Sequence, residues 1–202
     1  MNVKSLELEH YTTQVKTWPV SGHPIMAQYD ERSIIVYQAY RPEIGHFAIE
    51  HQYFGGAYSL NRMSWIKPNF LWMMYRSNWG SAEGQEVVLA IRLYREFFDR
   101  LLEKAVPSSY KEKEYPSQSE WKKAVANSDV RLQWDPDHNP LGHKCERRAI
   151  QLGLRGDMLK EYSRDAIIEI IDISDFVQQQ QTNVHSDFHD LVTPRETTYA
   201  II

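Results

Sequence analysis

Residues 62–80, RMSWIKPNFLWMMYRSNWG, place three tryptophans, two arginines and one lysine in a single apolar run. A stretch this apolar must be buried on most of its sides, and an unpaired charge buried with it is unfavourable by several kcal/mol or more. Arg62, Lys67 and Arg76 therefore need partners, either internal carboxylates or a bound anion. Pro68 fixes its own φ and pushes Lys67 toward an extended conformation. The run thus reads as an extended piece over 62–66, a break at Lys67, and a buried helix over 69–78 that Gly80 ends. At helical spacing Trp72, Tyr75 and Trp79 share one side, and Arg76 falls four residues after Trp72, within stacking reach of its indole. Trp72 and Trp79 are equally consistent with plain core packing.

The flanking segments supply the rest of a layered domain. SIIVYQAY over 33–40 is β-branched and aromatic and reads as an interior strand, with a helix after Pro42 that runs through Gln52. This unit leaves Tyr37, Gln38, Tyr40 and Arg41 at the C-terminal end of a strand, where ligand crevices of α/β folds form. No glycine-rich phosphate loop follows any strand. A second core strand spans 85–93, an amphipathic helix 94–105 and a short helix 121–126. A strand over 130–134 runs into a turn holding Asp135, Asp137, His138 and His143. The dense segment 144–159, KCERRAIQLGLRGDML, takes the place of a helix before the last strand, 167–173, and a turn or helix follows over 174–181. The expectation is α+β, with a mixed or split β-sheet and surrounding helices, in one domain of 202 residues: an N-terminal arm 1–32, a core 33–177 and a polar C-terminal tail 178–202.

Composition narrows the function classes. A net charge of −4 argues against broad wrapping of duplex nucleic acid, while leaving room for a local arginine cluster on a nucleotide or single strand. One cysteine excludes an internal disulfide framework, and neither an N-terminal apolar h-region nor a run of eighteen apolar residues appears, so a soluble cytoplasmic protein without a cleaved leader or membrane partners is expected. Asp135, Asp137, His138 and His143 carry metal-ligand chemistry, but a run of Asp, Pro, Asn and Gly is what a tight turn needs, and no metal is expected. The His185 and His189 pair sits in the polar tail. Cys145 beside His143 and Glu146 fits a small half-buried cysteine better than a thiol nucleophile. The strongest constellation is an anion pocket: Arg41, Arg62, Lys67 and Arg76 from the first half, Arg147, Arg148 and Arg155 from the second. Guanidinium groups grip phosphate in bidentate fashion, and Tyr37, Tyr40, Trp65, Trp72 and Trp79 offer faces on which a base can stack. The competing account pairs these arginines with surface carboxylates.

The segments VYQAYRPEIGHFAIEHQYFGG, RMSWIKPNFLWMMYRSNWG, LQWDPDHNP and RRAIQLGLRG together resemble the family catalogued as domain of unknown function 4291, whose name implies no activity. A more distant resemblance is to the ADP-ribosyltransferase fold, which holds NAD in a cleft between two small sheets. That likeness implies NAD as cofactor, with Tyr37, Gln38 or Arg41 at the end of the opening strand. It also implies a catalytic carboxylate at Glu146 or, if Gln151 takes the position, an amide in its stead. The function expected is binding of NAD or another nucleotide, with transfer of an ADP-ribosyl or related group to RNA, a nucleotide or a protein. The alternative is a non-catalytic module that recognises RNA or a nucleotide, and a third reading is a protein-interaction domain.

Overall fold

A strand that is apolar on both faces needs a layer packed against each, and residues 33–40 have that pattern. The computed structural model, which describes residue 3, residues 5–184 and residues 187–201, shows both layers. In chain order its elements are β1 (Leu8–His10), α1 (Tyr11–Gln14), β2 (Met26–Ala27), β3 (Ser33–Tyr40), α2 (Pro42–His51), β4 (Ser64–Ile66), α3 (Phe70–Ser77), β5 (Val87–Tyr94) and α4 (Arg95–Lys104). There follow β6 (Val106–Pro107), α5 (Gln118–Asn127), β7 (Val130–His138), β8 (Lys144–Leu154), α6 (Gly156–Ser163), β9 (Ile167–Asp172), α7 (Ser174–Asn183), β10 (Val192–Pro194) and β11 (Thr197–Thr198). The architecture is α+β with several small sheets. No helix among the described residues is long and apolar enough to cross a membrane.

The central sheet is antiparallel, in the order β3-β5-β9, and its two faces feed two cores. Ile34, Val36, Leu89, Ile91 and Ile170 point into the first core, with Phe97 and Phe98 of α4, Tyr162 of α6, and Ile150, Leu152 and Leu154 of the second sheet. The alternate residues, Ile35, Tyr37, Val88, Ala90 and Ile171, point into the second, against Phe70, Leu71 and Met74 of α3 and Phe176 of α7. The period of two along a strand thus sends neighbouring residues to opposite sides of the molecule. The second sheet, β4-β8-β7-β6, is mixed, with β6 and β7 parallel. One isolated antiparallel bridge, Tyr37 opposite Lys67, links the end of β4 to β3, and the Tyr37 amide donates to the Lys67 carbonyl at 2.7 Å.

The buried helix α3 forms as its sequence predicts, one residue inside the expected range at each end. Asn69 is the N-cap, its Oδ1 accepting from Trp72 N at 2.7 Å, and Asn78 closes the helix in the left-handed region at φ 48°. Its first turn is completed from the far end of the chain. Glu196 accepts from Phe70 N at 2.6 Å and from the Asn69 side-chain amide at 2.9 Å, and only 2% of the residue is exposed.

Two expectations are corrected. The segment 144–159 is not a helix: residues 144–154 form the long strand β8, and only the remainder enters α6. Ile150, Leu152 and Leu154 recur every second residue, a strand period, and the turn at 139–142 folds β8 back on β7 as a hairpin. For the same reason Asp135, Asp137 and His138 lie in β7 rather than in the turn, which begins at Asn139. The tail is more ordered than its polarity suggests, since β10 pairs with β1 and β11 with β2. His185 lies outside the described residues.

Burial pushes the Glu196 carboxyl up to about 8 against a usual value of 4.5, a rise that the Phe70 amide only partly offsets. A carboxyl whose pKa is higher when folded holds its proton in the native state between those values, so stability is greatest below pH 4.5 and declines as pH rises toward 8. At roughly 1.4 kcal/mol per pKa unit, the wild type should lose on the order of 5 kcal/mol across that window. The Glu196→Gln variant, which cannot ionise, should show a much flatter profile in urea denaturation followed from pH 5 to pH 8. A wild-type profile equally flat would show that Glu196 is ionised and fully compensated in place.

Candidate functional site

Residues that leave the C-terminal end of β3 on its first face, Gln38 and Tyr40, meet the edge of the second sheet at β4, and between them lies a cavity of about 400 Å³. The start of α2 contributes Arg41 and Ile44, the chain entering β4 contributes Tyr58, Arg62, Met63 and Ser64, and Trp65, Lys67 and Met73 complete the wall. Three of the lining side chains are cationic, Arg41, Arg62 and Lys67, and among the described residues the lining has no Asp or Glu. A wall of this make-up suits an anion.

Hydrogen bonds fix the polar part of that wall. Tyr162 OH donates to Gln38 Oε1 at 2.5 Å, and Gln38 Nε2 donates to Ser64 Oγ at 2.8 Å and to the Trp65 carbonyl at 3.0 Å. Tyr40 OH shares a hydrogen bond with Ser64 Oγ at 3.0 Å. With both ends of its amide engaged, Gln38 acts as a strut across the two sheets rather than as a free ligand group. Burial raises the Tyr40 and Tyr162 phenols well above their ordinary value, and raises Tyr58 as well, so all three stay protonated hydroxyls. Trp65 is set by close packing on Gly153 opposite it in β8. A Cβ added at Gly153 would come within 2.7 Å of Met63 Sδ and 3.0 Å of the indole.

The cations differ in how they are held. Arg41 caps α2 and pairs with Glu43 at 3.2 Å, an exposed bridge worth about 0–1 kcal/mol that an incoming anion can displace. Arg62 is exposed and makes no ion pair among the described residues. Lys67 is 7% exposed, and among the described residues its ammonium donates only to the Trp65 carbonyl, at 3.3 Å. Burial pushes its pKa down from 10.5 to about 8, Arg76 pushes further in the same direction, and Asp135 opposes them. Asp135 makes no ion pair with Lys67. Its two oxygens instead accept from Gln133 Nε2 at 2.8 Å and Gln151 Nε2 at 2.6 Å.

Of the residues that the sequence suggests for the site, Gln38, Tyr40, Arg41, Arg62, Trp65 and Lys67 converge on this cavity. Tyr37 faces the second core, fully buried beside Phe70. Trp72 is buried against Tyr75 and His138, and Arg76 sits exposed on α3, acting on Lys67 only through its charge. The second cluster of arginines is occupied elsewhere. Arg147 is buried in an ion pair with Asp137 and stacks over Trp18, its guanidinium 4.9 Å from the ring centre. Arg155 donates to the carbonyls of Val125, Ala126 and Ser128, tying α5 to α6. Arg148 and Glu146 are exposed on β8 away from the lining, and Gln151 is held by Asp135. Tyr58, Ser59 and Gln85 also line the cavity, and sequence reasoning does not find them. Loop residues approach through tertiary folding, and the tyrosine and serines clustered at 58–64 are the only local hint of it.

Other chemistry-bearing residues do not assemble. The Cys145 thiol is pushed up by burial, and among the described residues no group of three or more His, Cys, Asp or Glu side chains is placed to hold a metal.

The fold therefore defines an α+β protein with a cavity lined by Arg41, Arg62 and Lys67 between two small sheets. The chain belongs to the family described as domain of unknown function (DUF4291), whose model matches residues 24–199. No curated protein matches the chain.

A buried lysine with no ion-pair partner among the described residues is a standing strain, and its removal gives a test. Between its folded value of about 8 and its unfolded value of 10.5, the unfolded state binds the extra proton, so wild-type stability rises with pH across that window. Below pH 8 the full penalty, on the order of 3 kcal/mol, is present. The near-isosteric Lys67→Met variant should be about 2–3 kcal/mol more stable than wild type at pH 7. The difference should shrink toward nothing at pH 10.5 when both are followed by chemical denaturation. A Met variant less stable at pH 7 would mean that the ammonium is compensated within the folded protein.

Proposed function

We propose that the cavity binds a phosphate-bearing nucleotide, with NAD as the ligand that the resemblance to the ADP-ribosyltransferase fold suggests. The observation that carries the reading is the convergence of Arg41, Arg62 and Lys67 on a wall with no carboxylate, beside the half-buried Trp65 and the hydroxyls of Tyr40, Tyr58 and Ser64. The guanidinium groups would take phosphate oxygens, the phenols and Ser64 would donate to ribose or phosphate, and Trp65 offers a face for a base. The position of the cavity between two small sheets agrees with the way that fold holds its dinucleotide.

Group transfer is the finer form of this proposal. An ADP-ribosyl transfer needs negative charge near the developing oxocarbenium ion. Glu146 and Gln151, the residues that the resemblance implies for this part, do not line the cavity. Asp135 is the carboxylate whose charge reaches Lys67, and it would serve only if its two glutamine partners released it. This geometry favours binding over transfer, so a module that recognises a nucleotide or single-stranded RNA without breaking a bond is the second reading.

Calorimetry with NAD, ADP and a short single-stranded RNA separates these outcomes. A ligand held by Arg41 and Arg62 should lose roughly tenfold in affinity with Arg62→Ala, the order of one charge-assisted hydrogen bond, and should weaken as salt is raised. Absence of binding at millimolar NAD, ADP and RNA overturns the reading. Mass spectrometry of RNA and protein targets incubated with labelled NAD tests transfer: a transferred label excludes pure recognition.

A further inference from the structure

The Lys67 ammonium is an unusual group for a cavity wall, even one built for anions. It sits at the point where β4 bridges to β3, so its backbone is fixed on both sides by the Tyr37 amide and by Pro68. Its side chain is more than nine-tenths buried, yet it lines open space of about 400 Å³. No carboxylate approaches it within ion-pair distance among the described residues, and the one whose charge it feels, Asp135, has both oxygens committed to Gln133 and Gln151. A cationic neighbour, Arg76, adds like charge. Desolvation combined with an adjacent cation is how proteins make a lysine nucleophilic, because both disfavour the ammonium and leave a neutral amine with a free electron pair.

We propose that Lys67 is a reactive amine that forms an imine with an aldehyde or ketone carrying an anionic group, the anion being held by Arg41 and Arg62 on the same wall. The neutral nitrogen adds to the carbonyl carbon, a C–N bond forms, and a proton passes from nitrogen to the carbonyl oxygen to give a carbinolamine. A second proton, from a neighbouring hydroxyl or solvent, lets that oxygen leave as water, the C=N bond forms as the iminium, and the proton remaining on nitrogen returns to the donor or solvent to give the imine. Tyr40 and Tyr58 line the cavity as protonated phenols and are the donors that the wall supplies for this loss. With a pKa of about 8, half of Lys67 is neutral at pH 8, roughly a hundredfold more than for a solvated lysine.

Imine formation at Lys67 does not require that the cavity take a nucleotide, and one experiment keeps the two apart. The full chain is incubated at pH 8 with a substoichiometric amount of pyridoxal 5′-phosphate, an aldehyde bearing a phosphate. Borohydride then supplies hydride to reduce the C=N bond to a stable secondary amine, and the adducts are mapped by peptide mass spectrometry. The expected result is an adduct concentrated on Lys67, about tenfold or more above exposed lysines such as Lys122 and Lys123, in keeping with its larger neutral fraction. In Lys67→Arg, which keeps the charge but cannot form an imine, that adduct should vanish while the background on other lysines stays unchanged. Labelling spread over the exposed lysines, with Lys67 no more than its share, overturns the proposal, and because the site is mapped in the wild-type chain this outcome does not hang on the variant folding. Repeating the reaction with millimolar NAD distinguishes the ligands. Protection of Lys67 supports a cavity shared by both, whereas undiminished labelling supports the reactive amine and counts against NAD in the cavity.

Discussion

The backbone bridge between Tyr37 and Lys67 is the constraint on which the rest of the structure depends. It is a single antiparallel contact, with the Tyr37 amide donating to the Lys67 carbonyl at 2.7 Å, and it is where the second sheet meets the first. Pro68 follows at once and ends the strand pairing, since it has no amide to donate. The chain then turns into α3 beneath the central sheet, capped by Asn69 and by Glu196 from the far end of the sequence. One short stretch thereby joins both sheets, both cores and the C-terminal segment. The strand alternation around it divides the labour: Tyr37 goes into the second core, while Gln38 and Tyr40 go to the face where the cavity opens.

The same geometry explains why the cavity is positive. The Lys67 side chain is more than nine-tenths buried, and the nearby Asp135 is engaged by two glutamine amides. Arg41 and Arg62 line the same cavity from exposed chain, at the start of α2 and before β4, with Arg41 in an exposed pair with Glu43. The result is a wall with a buried amine at one point and two exposed guanidinium groups at others. Elsewhere buried charges are met by a counter-charge or by several hydrogen bonds, as at Arg95 and Arg131, which donate to main-chain carbonyls and, for Arg95, to the Tyr199 hydroxyl. Arg147 is paired with Asp137 and stacked on Trp18, and Glu196 receives two hydrogen bonds and is shifted toward its neutral form. Against that background Lys67 stands out among the described residues, because its ammonium has a single hydrogen bond, to the Trp65 carbonyl, and no counter-charge.

Much of this is legible in the sequence, and the rest is hidden for physical reasons. SIIVYQAY declares a strand buried on both faces because no residue in it is charged, and α3 is readable from Pro68, Asn69 and a run apolar on every side. Six of the site residues can be named because strand ends and proline breaks are local signals. The hairpin of β7 and β8 is concealed because charged residues interrupt the apolar alternation of 144–154, and what stabilises Arg147 there is Asp137 across the hairpin and Trp18 from the N-terminal arm. An arginine alone does not reveal whether it meets a ligand, a carboxylate or a ring of main-chain carbonyls such as those that hold Arg155. The ordering of the tail is hidden for a similar reason: Glu196 is buried only because α3 presents free amides to it.

The central claim is that Lys67 is a desolvated, unpaired amine kept for an anionic ligand, and its proton titration tests this directly. Nuclear magnetic resonance of lysine side chains, with Lys67 assigned by its loss in Lys67→Met, should give a pKa near 8 in the free protein, rising when ADP is added because the phosphate charge favours the ammonium. An ordinary value near 10.5 that ADP does not move would contradict the account.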